Sequence, residues 1–216
     1  MPDLIQERRF SMIKLFVFDL GNVILPFEHR QIAVKLYEKS QDKSAISSDD
    51  IFKFLFDREK GVVNIYETGN MSSLEFFTGL RDHYNLAIDF EEFKKIWNPI
   101  FHENLQVSDA VLYLESKGYP VYLLSDTNEL HFTYVTETYP VVHTMDEWIL
   151  SYKVGVKKPE KRIYDVIFEK MDVDRNEVFY IDDIERYVEA AKSYGINGMV
   201  FRDADGLWQM LKENGI

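Results

Sequence analysis

The stretch FVFDLGNVI (residues 16–24) decides the fold, because it reads as a buried strand that ends in a carboxylate. A continuously apolar run, without polar alternation, is typical of a strand that is covered on both faces of a parallel sheet. Asp19 stands at the end of this run, and Gly21 follows two residues later. A charged side chain in that place needs an explanation beyond packing.

Similar apolar runs recur later in the chain. Val121–Ser125, Val178–Asp182 and residues 198–201 read as strands, and residues 148–151 read as a weaker one. Helical patterns separate them at residues 129–137, 160–171, 185–194 and 206–213. Strands that alternate with helices predict an α/β fold with a Rossmann-like, doubly wound parallel sheet, in which ligands bind beyond the carboxyl ends of the strands.

Between the first and second strands the pattern changes to amphipathic helices. Ser72 and Glu75 fit a capping box, and large apolar residues recur behind it at helical spacing. We expect these residues to form helix core rather than to contact a ligand: Phe76, Phe77, Leu80, Tyr84, Phe90, Phe93, Ile96, Trp97 and Ile100. We therefore predict a core formed by residues 1–26 and 107–216, and a helical cap over residues 27–106.

Composition narrows the class of protein. The net charge of −12 argues against nucleic acid or an anionic membrane as the main partner. The absence of cysteine excludes disulfides and thiolate zinc sites. Residues 1–11 read as a tail without a signal peptide, and no apolar run is long enough to span a membrane. We expect a cytoplasmic protein that acts on a small solute.

Polar residues end three of the predicted strands. Asp19 ends the first, Ser125 ends the second and is followed by Asp126, and Asp182 ends the third and is followed by Asp183. One strand-end aspartate is usually a turn or capping residue, but three carboxylate-bearing ends at one sheet edge repel one another and need a cation. Oxygen ligands without cysteine or clustered histidine suit Mg²⁺.

Two further residues suit the binding of an anion. Ser125 precedes a helix that starts near Asn128, so a hydroxyl and helix N-terminal amides are available there. Lys158 precedes Pro159, which holds the lysine extended and is predicted to occupy the first turn of the next helix. Carboxylates with Mg²⁺, a hydroxyl and a lysine indicate phosphoryl transfer to an aspartate, and Asp19 is the natural nucleophile.

Four sequence motifs carry a family resemblance. FDLGNVI, VYLLSDTN, VGVKKPEKRIY and FYIDDIERYVEAA occur in the order of motifs I to IV of the haloacid dehalogenase (HAD)-like hydrolase superfamily, and the insertion resembles a C1-type helical cap. DLGNVI, IYETGNMSSLEFF and KKIWNPIF resemble the branch that includes α-D-glucose-1-phosphate phosphatase and the phosphatase domain of soluble epoxide hydrolases.

The resemblance implies an Mg²⁺-dependent phosphatase that hydrolyses a small phosphorylated metabolite, such as a sugar phosphate, through an aspartyl-phosphate. Asp19 would be the nucleophile, and the metal ligands would be Asp19, the Gly21 backbone carbonyl, Asp183 and the adjacent Asp182. Ser125, Asp126 and Lys158 would bind the phosphate, with Lys158 also counted as catalytic.

The chain departs from the family pattern at four positions. Gly21 lacks the side chain that serves the family as general acid and base, a loss typically worth about 10²- to 10⁴-fold in rate. Asp126 and Tyr187 replace asparagines, and Thr68 replaces an arginine of the cap. Glu28 or His29, just after the first motif, is a hypothetical source of the missing proton transfer. The other histidines are expected mostly at the surface or in the cap.

Two alternative functions stay open. A catalytically impaired or non-catalytic binding protein would explain the four departures, although such a protein has little reason to keep Asp19 and Lys158. A metal-independent 2-haloacid dehalogenase would share the aspartate nucleophile, but Asp182 and Asp183 argue against it, as does Gly21, where a tyrosine would be expected. Fold alone does not choose among these functions.

Overall fold

The computed structural model describes residues 13–216, so the predicted tail over residues 1–11 lies outside the described residues. Its centre is a five-stranded parallel sheet with the strand order β3-β2-β1-β4-β5. The strands are β1 (Leu15–Phe18), β2 (Val121–Ser125), β3 (Glu147–Leu150), β4 (Val178–Asp182) and β5 (Asn197–Val200). The predicted parallel α/β sheet is confirmed, including its weakest strand.

Helices flank the sheet and fill the insertion. They are α1 (Arg30–Lys39), α2 (Ser48–Phe56), α3 (Val63–Tyr66), α4 (Ser73–Tyr84), α5 (Phe90–Trp97), α6 (Leu105–Ser116), α7 (Glu129–Thr138), α8 (Ser151–Val154), α9 (Lys161–Lys170), α10 (Glu185–Ser193) and α11 (Ala204–Glu213). Short 3₁₀ helices occupy Pro140–Thr144 and Arg175–Glu177. No helix within residues 13–216 is long and apolar enough to cross a membrane.

Strand β1 lies in the middle of the sheet, because it pairs with β2 on one side and with β4 on the other. Its residues alternate between the two faces: Phe16 and Phe18 pack with α6 and α11, whereas Leu15 and Val17 pack with α9 and α10. The chain crosses from β3 on one side to β4 on the other. The carboxyl ends of β1 and β4 therefore flank a topological switch point, where ligands bind in such sheets.

A second hydrophobic cluster joins helices α1 to α5, which are inserted between β1 and β2 and are called the inserted helices below. The Ser72–Glu75 capping box starts α4 as predicted, since the Ser72 hydroxyl accepts the Glu75 N–H and the Glu75 carboxylate accepts the Ser72 N–H. Every apolar residue expected in the helix core belongs to this cluster, with Phe90 only partly buried. Leu130 of α7 belongs to the same cluster, so its packing continues onto the sheet-bearing part of the chain.

We predict that Trp97→Ala destabilises the protein strongly. Trp97 is fully buried and its ring lies against those of Phe76, Phe93 and His131. Removing a buried tryptophan should cost about 3–5 kcal/mol of unfolding free energy, measured by urea denaturation followed by circular dichroism.

The control is Leu112→Ala on α6, where the side chain is 44% exposed. This substitution should change the unfolding free energy by about 0.5 kcal/mol or less. Equal losses in the two variants would contradict the packing described for Trp97.

Candidate active site

Three carboxylates meet at the carboxyl edge of the sheet. Asp19 follows β1, Asp182 ends β4 and Asp183 comes next, and each offers an oxygen within 4.8 Å of the others. Burial raises the pKa of Asp19 well above its usual range, Asp182 and Asp183 raise it further, and Lys158 opposes them. One lysine does not balance three carboxylates, and oxygen ligands of this kind fit a hard divalent cation such as Mg²⁺.

Lys158 is the counter-ion of this cluster. Its Nζ lies 2.8 Å from Asp19 Oδ1 and 2.7 Å from Asp182 Oδ2, with the side chain almost fully buried. Burial lowers the pKa of Lys158, but the neighbouring carboxylates, Asp19 foremost, outweigh it and hold the pKa well above its usual value. The lysine therefore stays charged beside the nucleophile candidate.

Asp182 has both carboxylate oxygens engaged. Oδ2 accepts hydrogen bonds from Lys158 Nζ and from the Tyr180 hydroxyl, and Oδ1 accepts the Ile184 N–H at 2.7 Å. Asp183 accepts a hydrogen bond from Asn22 Nδ2 at 3.2 Å and is only partly buried. These bonds favour Asp19 and Asp183 as metal ligands, with Asp182 holding Lys158 in place.

Lys158 reaches the cluster from a different backbone arrangement than the sequence predicts. The expectation that Pro159 occupies the first turn of α9 is wrong, because Glu160 is the N-cap and the helix begins at Lys161. The Lys158–Pro159 peptide bond is cis. The Lys158 N–H instead donates to Asp126 Oδ1 at 3.0 Å, which ties this loop to the end of β2.

Ser125 and Asp126 lie together at the end of β2, and Ser125 is buried. The amides at the start of α7 are partly used: the Leu130 N–H donates to the Tyr66 hydroxyl, and the His131 N–H donates to Asn128 Oδ1. An anion at this edge would therefore depend on side chains more than on these two amides.

The ring of Phe27 fills the space beside Gly21. A Cβ atom placed on Gly21 would lie 2.6 Å from Phe27 Cε1, which is too close without movement of the ring. The Phe27 ring also packs on His29, at a centroid distance of 4.4 Å. A larger side chain at position 21 would therefore require the Phe27 ring to move.

The family model for haloacid dehalogenase-like hydrolases matches residues 13–195. The chain belongs to this family. It is 31% identical to the D-ribitol-5-phosphate phosphatase of Bacteroides thetaiotaomicron, over 85% of this chain and 89% of that protein. A HAD family enzyme from the same organism, solved with magnesium and inorganic phosphate, superposes with a TM-score of 0.79 at 25% identity, covering 91% of this chain and 98% of the other.

The predicted similarity to epoxide hydrolases also appears. Bifunctional epoxide hydrolase 2 of Sus scrofa is 29% identical over 72 residues, which is 33% of this chain and 13% of that protein. The chain is thus a HAD-like hydrolase with phosphatase relatives, as its four motifs predict.

Tyr187, one of the departures from the family pattern, contacts Lys158. Lys158 Nζ lies 5.1 Å from the centroid of the Tyr187 ring, and the Arg186 guanidinium donates to the Tyr187 hydroxyl at 2.9 Å. A lysine over an aromatic face is held by a cation–π interaction. In this HAD-like hydrolase the tyrosine therefore helps to position the lysine that faces Asp19.

Contacts between the inserted helices and the sheet edge are not predictable from the sequence. Lys157 forms an ion pair with Glu67 and donates a hydrogen bond to Asn64 Oδ1 at 3.0 Å. The Thr68 hydroxyl donates a hydrogen bond to the backbone carbonyl of Asn64. Ser73 bonds the Glu129 carboxylate. The partners of Lys157 lie about ninety residues away in the chain, so spacing gives no signal for them.

Two histidines, His29 and His131, have surroundings that lower their pKa values. His29 lies near the first motif and stacks on Phe56, and burial lowers its pKa to about 4. Its role in proton transfer, like that of exposed Glu28, stays a prediction. His131 is an exception to the location expected for most histidines, because it is buried in α7 with its ring nitrogens hydrogen-bonded to Trp97 O and Asn128 Nδ2.

We predict that His131 makes the protein less stable at acid pH. Burial lowers its pKa to about 3 in the folded state, whereas an unfolded histidine titrates near pH 6.5. Between these values only the unfolded chain binds the proton. The free energy of unfolding should fall by about 1.4 kcal/mol per pH unit for this group as the pH decreases through that window.

Urea unfolding at a series of pH values tests this slope. His131→Phe should keep the stacking on Trp97 and flatten the slope below about pH 6. The control, His102→Phe at an exposed position, should keep the wild-type slope. Parallel slopes for all three proteins would contradict a neutral, buried His131.

Proposed function

We propose that this HAD-like hydrolase is an Mg²⁺-dependent phosphatase for a small phosphorylated metabolite, with polyol and sugar phosphates as the first candidates. The observation that carries the proposal is the buried Asp19 carboxylate, 2.8 Å from Lys158 Nζ and next to Asp182 and Asp183. The similarity to a ribitol-5-phosphate phosphatase supports the substrate class.

The donor set fits the expected metal. Asp19, Asp183 and the backbone carbonyl of Gly21 would hold Mg²⁺, and these oxygen ligands are the kind that this ion prefers. When bound, Mg²⁺ would supply the positive charge that shields the phosphate oxygens from the attacking carboxylate.

In the proposed reaction a carboxylate oxygen of Asp19 attacks phosphorus, the bond between phosphorus and the leaving alcohol oxygen breaks, and that oxygen takes up a proton from solvent. Water then attacks phosphorus of the aspartyl-phosphate and gives up a proton to solvent. The bond between phosphorus and the Asp19 oxygen breaks, which releases inorganic phosphate and restores the carboxylate. Lys158 orients Asp19 and keeps its own charge, so it also neutralises a phosphate oxygen. In this proposal the Ser125 hydroxyl donates a hydrogen bond to another phosphate oxygen.

The site favours a small substrate. Asp19 is 6% exposed, and the contacts of Glu67 and Ser73 bring the inserted helices against the sheet edge. A substrate that reaches Asp19 in this arrangement must fit beneath these helices, which suits a short phosphorylated metabolite better than a macromolecule.

A non-catalytic binding protein is the second candidate. The observation that favours it is the Phe27 ring beside Gly21. The ring occupies the space that a proton-transfer side chain at position 21 would need. Such a protein would bind magnesium and inorganic phosphate but release no product. A metal-independent dehalogenase fits less well, because three adjacent carboxylates have no evident use without a cation.

Hydrolysis of p-nitrophenyl phosphate and D-ribitol 5-phosphate, with and without Mg²⁺, tests the proposal. We expect activity that chelation removes and that Asp19→Asn lowers by about 10⁴-fold or more, because the nucleophile is lost. Asp49→Asn, at an exposed position of α2, is the matched control and should keep the wild-type rate. Activity that survives both chelation and Asp19→Asn would refute the proposal.

A further inference from the structure

Asp126 lies between two residues of the proposed phosphate site. It directly follows Ser125, and its Oδ1 accepts the backbone N–H of Lys158 at 3.0 Å. An ionised carboxylate there would repel the phosphate that these two neighbours are proposed to bind. The same carboxyl group without its charge would not.

The other oxygen of this carboxyl group is buried and unbonded. Asp126 Oδ2 has no hydrogen-bond partner among residues 13–216 and is shielded from solvent. A buried polar atom without a partner is destabilising, and more so when it is charged. A proton on Oδ2, with a hydrogen bond from it to a ligand atom, would therefore stabilise this carboxyl group.

The positive charges near Asp126 are already shared with other carboxylates. Lys158 is paired with Asp19 and Asp182, and Lys157 is paired with Glu67. Burial raises the pKa of Asp126, the two lysines lower it, and Asp182 raises it. Tyr187, Tyr164 and Glu67 also interact with it. These surroundings favour the neutral acid form of Asp126 more strongly than solvent would favour it for an exposed carboxylate.

We propose that Asp126 binds phosphate as a neutral carboxylic acid, with the proton on Oδ2 donated in a hydrogen bond to a phosphate oxygen. This inference rests on the phosphate site proposed above. A carboxylic acid has the shape of an asparagine amide and, like it, offers one acceptor and a donor. Oδ1 accepts from Lys158 and Oδ2 donates to the ligand, so both oxygens gain partners in the complex. The negative charge of the ligand further favours the protonated form.

Titration calorimetry of inorganic phosphate with Mg²⁺, from about pH 4.5 to 8.5, tests the inference on wild type and Asp126→Asn. The ratio of the two dissociation constants at each pH is the readout, because the ionisation of phosphate and of the shared groups cancels in it. The asparagine is a permanent donor. We expect a ratio near one at low pH, and wild-type binding that weakens relative to the variant by up to about tenfold per pH unit once Asp126 ionises.

Asp109→Asn, at an exposed position of α6, is the control for the change in net charge and should follow wild type at every pH. Asp126→Asn that binds more tightly than wild type by a constant factor at all pH values would show an ionised Asp126 and overturn the inference. A folded Asp126→Asn that does not bind would overturn it as well.

Failure of wild type and both variants to bind phosphate would instead overturn the phosphate site itself. A second measurement needs no variant. Sulfate keeps a fixed charge across this pH range, so calorimetry in buffers of different ionisation enthalpy should detect a proton taken up when sulfate binds the wild-type chain. Sulfate binding without proton uptake, at pH values where Asp126→Asn binds phosphate more tightly than wild type, would contradict the protonation of Asp126 in the complex.

Discussion

The ion pairs of the Lys158 ammonium group with Asp19 and Asp182 are the interactions on which the site depends. Two buried carboxylates on adjacent strands repel each other, and the lysine lies within 2.8 Å of one and 2.7 Å of the other. Removing one member of a buried charge network leaves the others uncompensated, which is strongly destabilising. The arrangement therefore requires all three residues at once.

The sheet supplies the positions that this network needs. Strand β1 lies between β2 and β4, so Asp19 emerges between Ser125 on one side and Asp182 on the other. Lys158 enters from the loop before α9, and the hydrogen bond of its N–H to Asp126 ties that loop to the end of β2. Tyr180 and Tyr187 then surround the charges with buried rings, which limits the freedom of the lysine.

The fold and the main site residues are predictable from the sequence because they depend on local patterns. Continuous apolar runs identify the strands, and polar residues at three strand ends identify the carboxylate cluster. Three features are not predictable in this way: the Phe27 ring beside Gly21, the Lys157–Glu67 pair and the burial of His131. Each depends on a side-chain contact that apolar periodicity does not encode. The expectation for Pro159 fails because the helix starts at Lys161.

The central claim is that Asp19, held by Lys158, accepts the phosphoryl group. The most direct test is acid quenching during turnover of p-nitrophenyl phosphate with Mg²⁺, followed by digestion and mass spectrometry of the peptide that contains residues 16–24. The account predicts a phosphorylated Asp19 in wild type and no such adduct in Asp19→Asn. Phosphate attached to a different residue, or steady product formation with no adduct at Asp19, would contradict it.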